Sequence, residues 1–244
     1  MKTIHYLSII TLTVVLFLSC QQIEYKGEYS KDGFYQGSQS VYFYFAKETD
    51  TLKRYSFGTD WIEHKRQIVK VPVRITGLPA KTPLTFKVTV DENASSAKPN
   101  QHYTPFSGEF QIKPDSVNGY VEIEVWRDNL SSNEKTPVRL VLNLQNTAQL
   151  QAAFPDNRKV VVAIDDYLAE PYYWVYYTYY WGPYSQIKYR KFLEYYNGDP
   201  QKLQNALMTD FNGLSMNFVK VYRFFEAHPE YNQVLPAKLY IPYQ

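Results

Sequence analysis

The chain has 244 residues, enough for one large domain or two small ones. Its 26 basic and 24 acidic side chains leave a formal charge of +2, so it lacks the basic footprint of a nucleic-acid binder. The single cysteine permits no internal disulfide, and the fold must stand on its own hydrophobic core. Aromatic residues make up 17%, with 24 Tyr and 14 Phe. Tyr suits binding surfaces that are half apolar and half wet, but it also suits strands, so abundance alone does not separate the two uses.

Lys2, the mostly apolar run from Ile4 to Leu18 and the small residue Ser19 have the layout of a secretory signal over residues 1–19. The run is shorter than the ~20 residues that a membrane span requires. Leu16-Phe17-Leu18-Ser19-Cys20 resembles a bacterial lipobox, which implies cleavage before Cys20 and lipidation of its sulfur. An ordinary signal peptide followed by an unmodified cysteine is the competing reading. Residues 20–40 are polar, with Gly27, Gly33 and Gly37, and read as a flexible tether.

From residue 41 to 168 the pattern is that of an antiparallel β-sandwich. Val41-Tyr-Phe-Tyr-Phe45 is β-branched and aromatic. Val69, Val71, Val73 and Ile75 alternate with Lys70, Pro72 and Arg74, and the proline suggests an edge strand. Rows Leu84 to Val90, Phe110 to Ile112, Val121 to Val125, Val138 to Leu144 and Val160 to Ile164 complete seven candidate strands. Turn signals separate them, and no helical pattern intervenes, as in immunoglobulin-like folds. If Val125 points inward, Trp126 points outward beside Glu122 and Glu124. It then either stacks on a sugar ring or lies under a later segment, and Trp61, in a loop, has the same two readings.

Ala97, His102-Tyr103 and Ile164-Asp165-Asp166 resemble the sandwich repeats of the calcium-exchanger β type. Those repeats hold calcium with acid clusters at one end. Here the counterparts are Asp91-Glu92 and Asp165-Asp166, and several matching acids are missing. Hard cations take 6–8 oxygen ligands, so a solvated strand end with no metal is the expectation.

Residues 169–244 read as an aromatic hinge and a helical region. Nine of the fourteen residues from Pro171 to Tyr184 are aromatic, and such a run is costly to leave in water at roughly 25 cal/mol per Å². It either packs between the sandwich and the helices or offers a ligand platform through Trp174, Tyr180, Trp181 and Tyr184. Ser185 caps one predicted helix and Asp199-Pro200 starts a second. Asn212-Gly213 ends the second, a third runs to His228-Pro229, and Ala237 to Pro242 suggests a terminal strand.

Pro171, Trp174, Trp181-Gly182, Tyr184-Ser185 and Lys188 resemble the pattern of a Bacteroidetes outer-membrane lipoprotein family of uncharacterised function. That resemblance implies a lipid-anchored protein at the outer membrane, facing the cell surface, with the periplasmic face as the alternative. It also implies a place beside a TonB-dependent-type transporter and its substrate-capturing lipoprotein, of the paired starch-utilisation kind.

No enzyme motif stands up. Ser185 and Lys188 have Ser-x-x-Lys spacing, but the partner motifs of penicillin-binding enzymes are missing. His64, His102 and His228 are scattered, and Glu122 and Glu124 share an exposed strand face in the manner of ordinary surface charges. Asp50-Thr51-Leu52 and Asp115-Ser116-Val117 resemble O-glycosylation sites of exported proteins in these bacteria. The expected function is therefore glycan or peptide capture without cofactor, through Trp61, Trp126 and the hinge aromatics. The alternative is docking onto the transporter complex with no small ligand.

Overall fold

The computed structural model describes residues 30–31, 34–35, 39–47 and 51–236. The leader, Cys20, Asp50 and the segment expected as a terminal strand lie outside the described residues. The chain divides into two compact units, residues 1–38 and 39–244. In the first, β1 (Ser30–Lys31) pairs antiparallel with β2 (Phe34–Tyr35) inside the stretch read as tether. Strands of two residues are too short to leave a period in the sequence.

The second unit opens with two packed sheets. One has the order β10-β3-β5-β8, from β3 (Ser40–Phe43), β5 (Arg66–Ile75), β8 (Asn118–Trp126) and β10 (Gln151–Ala152). The other has the order β4-β11-β9-β6-β7. It holds β4 (Leu52–Ser56), β6 (Leu84–Val90), β7 (Glu109–Ile112), β9 (Val138–Gln145) and β11 (Lys159–Asp165). The inward rows are those read from the alternation: Val69, Val71 and Val73 meet Val121, Ile123 and Val125 on one sheet. Phe86, Leu140, Leu142, Val160 and Val162 face them from the other, all fully buried. Each such side chain contributes roughly 1.5–3 kcal/mol on burial. The result is mainly β with α: an immunoglobulin-like sandwich of two packed sheets, then a small helical region.

Three details differ from the sequence expectation. β4 runs parallel to β11, and β10 runs parallel to β3, so the sandwich is not wholly antiparallel. β4 has no apolar alternation, because it is an exposed edge that pairs with β11 and turns only Tyr55 toward the core. Pro72 lies in an interior strand, between β3 and β8. Its carbonyl accepts from the Tyr44 N–H at 2.9 Å, just past the end of β3, so the bond that its missing N–H cannot make falls at the last rung of the ladder.

The aromatic run read as a hinge is helical. It forms α1 (Trp174–Trp181), closed by Gly182 at φ +74. α2 (Gln186–Glu194) starts at Ser185, whose Oγ accepts from the Lys188 N–H at 3.1 Å. α3 (Pro200–Thr209) starts at Asp199, which accepts from the Gln201 N–H at 2.9 Å. α4 (Phe211–Ala227) is capped by Asp210, so the break falls before Asn212-Gly213 rather than at it. A Cβ on residue 213 would sit 2.1 Å from the Asp210 carboxylate, and glycine there lets the cap close.

The helices enclose a second core of Trp174, Trp181, Tyr189, Phe192, Phe218 and Phe225. A buried ionic cluster ties this core to the sandwich. Asp166 Oδ1 accepts from Arg127 Nη2 at 2.8 Å and from Arg190 Nη2 at 2.9 Å. Arg127 also donates to the Trp61 carbonyl at 2.6 Å, and Arg190 to the Gly58 carbonyl at 2.9 Å. Asp166 is thus no solvated strand end: it is 6% exposed and committed to two guanidinium groups. Among the described residues no cluster of His, Cys, Asp or Glu is arranged to hold a metal ion.

Candidate ligand-binding face

The outer face of β3-β5-β8 is built from the residues that alternate with the buried rows. The register sets them in rows across the strands. Arg74 lies between Tyr42 and Asn118, and Pro72 lies opposite Tyr120. Lys70 faces Glu122, Ile68 faces Glu124, and Arg66 faces Trp126. Tyr44, bonded through its N–H to Pro72, extends the second row. Tyr44, Pro72 and Tyr120 therefore stand side by side on neighbouring strands, with the two tyrosines roughly 10 Å apart. Tyr44 is 36% exposed and Tyr120 51%.

Polar groups converge on this row from both sides. The Arg74 guanidinium lies 3.7 Å from the Tyr44 ring centroid, and its Nε donates to Asn118 Oδ1 at 2.9 Å. The Lys70 ammonium lies 5.9 Å over Tyr120 and 2.8 Å from Glu122, a hydrogen bond that raises its pKa. The row floors a depression of about 490 Å³, with Lys53 on its wall. Tyr44 also borders a second depression of about 860 Å³, lined by Tyr42, Phe45, Phe154, Asp156 and Asn157. Phe154 is exposed and meets Tyr42 edge-on at 5.2 Å. It is held at φ +49, a backbone state that costs a side-chain-bearing residue about 1–3 kcal/mol. Concave sites with aromatic floors and a few placed polar groups are the usual form of ligand pockets.

Of the residues singled out from the sequence, Trp126 lies on this face. It is half-buried, its Nε1 donates to Thr104 Oγ1 at 2.9 Å, and Arg66 covers its ring at 4.3 Å. Glu124 accepts from Thr104 and Trp126, which lowers its pKa. Trp61 lies elsewhere: it packs edge-on against Phe224 and Tyr231, both at 5.6 Å, with Lys191 at 4.6 Å. Trp174 and Trp181 are 1% and 2% exposed and present no face to a ligand. Tyr180 and Tyr184 are half-buried against the helical core, and burial raises the Tyr184 pKa. The Ser185–Lys188 pair is a helix cap beside a buried lysine, whose Nζ donates to the carbonyls of Trp181, Pro183 and Val234.

The profile of a domain of unknown function, DUF4843, matches residues 35–197, more than half of the chain. The chain belongs to the DUF4843 family. The match runs from β2 through the sandwich and the whole candidate face to the end of α2. Among curated proteins no match is found for this DUF4843 chain. Among solved structures it is similar to the apo form of Calx CBD1, at 14% identity and a TM-score of 0.37 over 53% of this chain and 100% of that one. It is also similar to a candidate carbohydrate binding protein from Bacteroides ovatus, at 12% identity and 0.37 over 53% of this chain and 37% of that one. A protein of unknown function from the same species gives 14% and 0.37 over 52% and 43%. The DUF4843 chain thus spans less than half the length of these two Bacteroides chains.

Proposed function

We propose that this DUF4843 protein is a non-enzymatic accessory lipoprotein of a nutrient-uptake system, and that it captures glycan on the outer face of β3-β5-β8. The observation that carries the reading is the Tyr44–Pro72–Tyr120 row. It offers flat apolar surfaces a strand apart, with a guanidinium and an amide beside them. The C–H faces of sugar rings pack on such surfaces while their hydroxyls take hydrogen bonds from the flanking groups. In this reading Cys20 carries the lipid, the protein sits at the outer membrane facing outward, and it passes glycan to an adjacent TonB-dependent-type transporter and its substrate-capturing lipoprotein. Affinity electrophoresis of the purified chain through a panel of polysaccharides tests the site. The expected result is retardation by at least one polysaccharide, abolished by Tyr44→Ala or Tyr120→Ala in protein that still folds. Retardation by none overturns it. The mass of the mature N-terminus tests the anchor, and an unmodified Cys20 sulfur removes it.

A second reading, docking onto the transporter complex, is favoured by the outer side of α1. Tyr172, Val175, Tyr176 and Tyr179 fall at helical spacing and are 66–80% exposed. Tyr-rich, charge-poor surface is the composition of interface cores. Capture of the transporter components from native membranes, lost on Tyr176→Glu but retained on Tyr120→Ala, is the result that supports it.

A further inference from the structure

The charge around the tyrosine row is uneven. The depression that it floors is bordered by Lys53, Lys70 and Arg74, and no acid lines it. Lys70 is already neutralised by Glu122. Lys53 is exposed and faces no carboxylate among the described residues. Arg74 is half-buried and held at two points. Its plane lies against the Tyr44 ring and its Nε is bound to Asn118, yet neither of its Nη groups has an acceptor among the described residues. The neighbouring depression has the opposite character, with Asp156 on its wall.

A guanidinium fixed by its face and its Nε, with both Nη groups open, is a fork set for a planar or tetrahedral anion. The ordering cost of a long flexible side chain has been met in advance, and a charge-assisted bidentate contact is stronger than the hydrogen bonds that a neutral hydroxyl offers. We infer that the glycan taken at the Tyr44–Pro72–Tyr120 row is acidic, carrying a carboxylate or a sulfate ester that Arg74 grips through its Nη groups while Lys53 supplies the second positive charge. The inference rests on the glycan-capture reading and narrows its substrate class. The Asn118 side-chain oxygen Oδ1 is part of the device, because it accepts from Nε and so aims the fork. Lysine in place of Arg74 keeps the charge and loses the fork.

Chemically matched polysaccharides test this. A uronate-bearing polysaccharide is compared with its carboxyl-reduced form, and a sulfated one with its desulfated form, by titration calorimetry at low and at high salt. The expected result is at least about tenfold tighter binding of one acidic form than of its neutral partner. That preference is cut by salt and lost in Arg74→Gln and in Arg74→Lys, with melting temperatures unchanged. Equal binding of the matched forms, abolished by Tyr120→Ala, overturns the inference and leaves glycan capture standing. An acidic preference that survives Arg74→Gln also overturns it. Binding of neither form overturns both.

Discussion

Two regions of this chain spend the same residue type in opposite ways. In the helical region the rings satisfy one another. Trp181 is in contact with Tyr177 at 4.5 Å, Trp174 at 5.0 Å, Phe192 at 5.1 Å and Phe218 at 5.9 Å, and the hydroxyls of Tyr173 and Tyr189 meet at 3.3 Å. On the outer face of β3-β5-β8 three rings meet cations, Tyr44 with Arg74, Tyr120 with Lys70 and Trp126 with Arg66, and Tyr42 meets the exposed Phe154. A cation over an exposed ring contributes only about 0.5–1 kcal/mol. These rings therefore do little for the fold and stay open to a ligand. In the densest aromatic stretch of the sequence Tyr173, Trp174 and Trp181 are core while Tyr172, Tyr176 and Tyr179 face solvent, and the sparser sheet face is the candidate site. What separates them is the neighbour that the fold supplies, not the number of rings.

The contrast is broken most severely from the helical side. Trp181→Ala removes the ring at the centre of the second core, and large-to-small changes of this kind cost about 3–5 kcal/mol. A melting point lower by roughly 10 °C is the expected outcome. Glycan affinity per folded molecule stays unchanged, which calorimetry on the folded fraction checks. Asp166→Ala has a similar cost of about 3–5 kcal/mol, because it leaves two buried guanidinium groups without their shared partner. It also loosens the attachment of the helices to the sandwich, so proteolysis between residues 166 and 186 accelerates.

Lys188 gives a smaller and pH-dependent effect. Burial lowers its pKa from the ordinary 10.5 to about 8, against the pull of three carbonyls that favour the ammonium. Between those two values the unfolded chain holds a proton that the folded chain has released, so stability rises as pH climbs above about 8. Tyr173 and Tyr184 set the upper limit. Burial raises both, so above pH ~10 the unfolded tyrosines ionise, the folded ones do not, and stability falls. The urea midpoint is expected to increase from pH 7.5 to about 9.5 in the native chain. The rise disappears in Lys188→Met, which also costs about 2 kcal/mol for the unpaired carbonyls.

Much of the fold was legible because it is periodic. Val69 to Ile75 and Val121 to Val125 announce their buried faces by alternation, and Ser185 and Asp199-Pro200 announce the starts of α2 and α3. β4 was not legible, since Leu52-Lys-Arg-Tyr-Ser56 is an edge strand with no buried face. The helix in the aromatic run was hidden for a different reason. Aromatic residues on all sides of α1 leave no contrast between faces, and Tyr and Trp also favour strands. The ionic cluster joins residues 127, 166 and 190, and no local spacing connects them. The candidate face was half legible. Tyr120 follows from the inward setting of Val121, but its row with Tyr44 depends on the register across β5. Reading Pro72 as an edge residue removed the strand between them.

The smallest expected effect on stability is also the sharpest discriminator. Tyr120 is half exposed and the Lys70 ammonium lies 5.9 Å over its ring, so Tyr120→Ala changes stability by less than about 0.5 kcal/mol. Tyr179, 80% exposed on α1, is equally dispensable to the fold. The two substitutions are therefore matched in chemistry and in cost, and differ only in place. Glycan binding lost in Tyr120→Ala and kept in Tyr179→Ala assigns the ligand to the sheet face, where a flat ring has an arginine fork and an amide within reach. The reverse pattern moves the site to the helix, where no charged group lies between Pro171 and Tyr184 to hold a sugar hydroxyl, and removes the physical basis for separating the two regions.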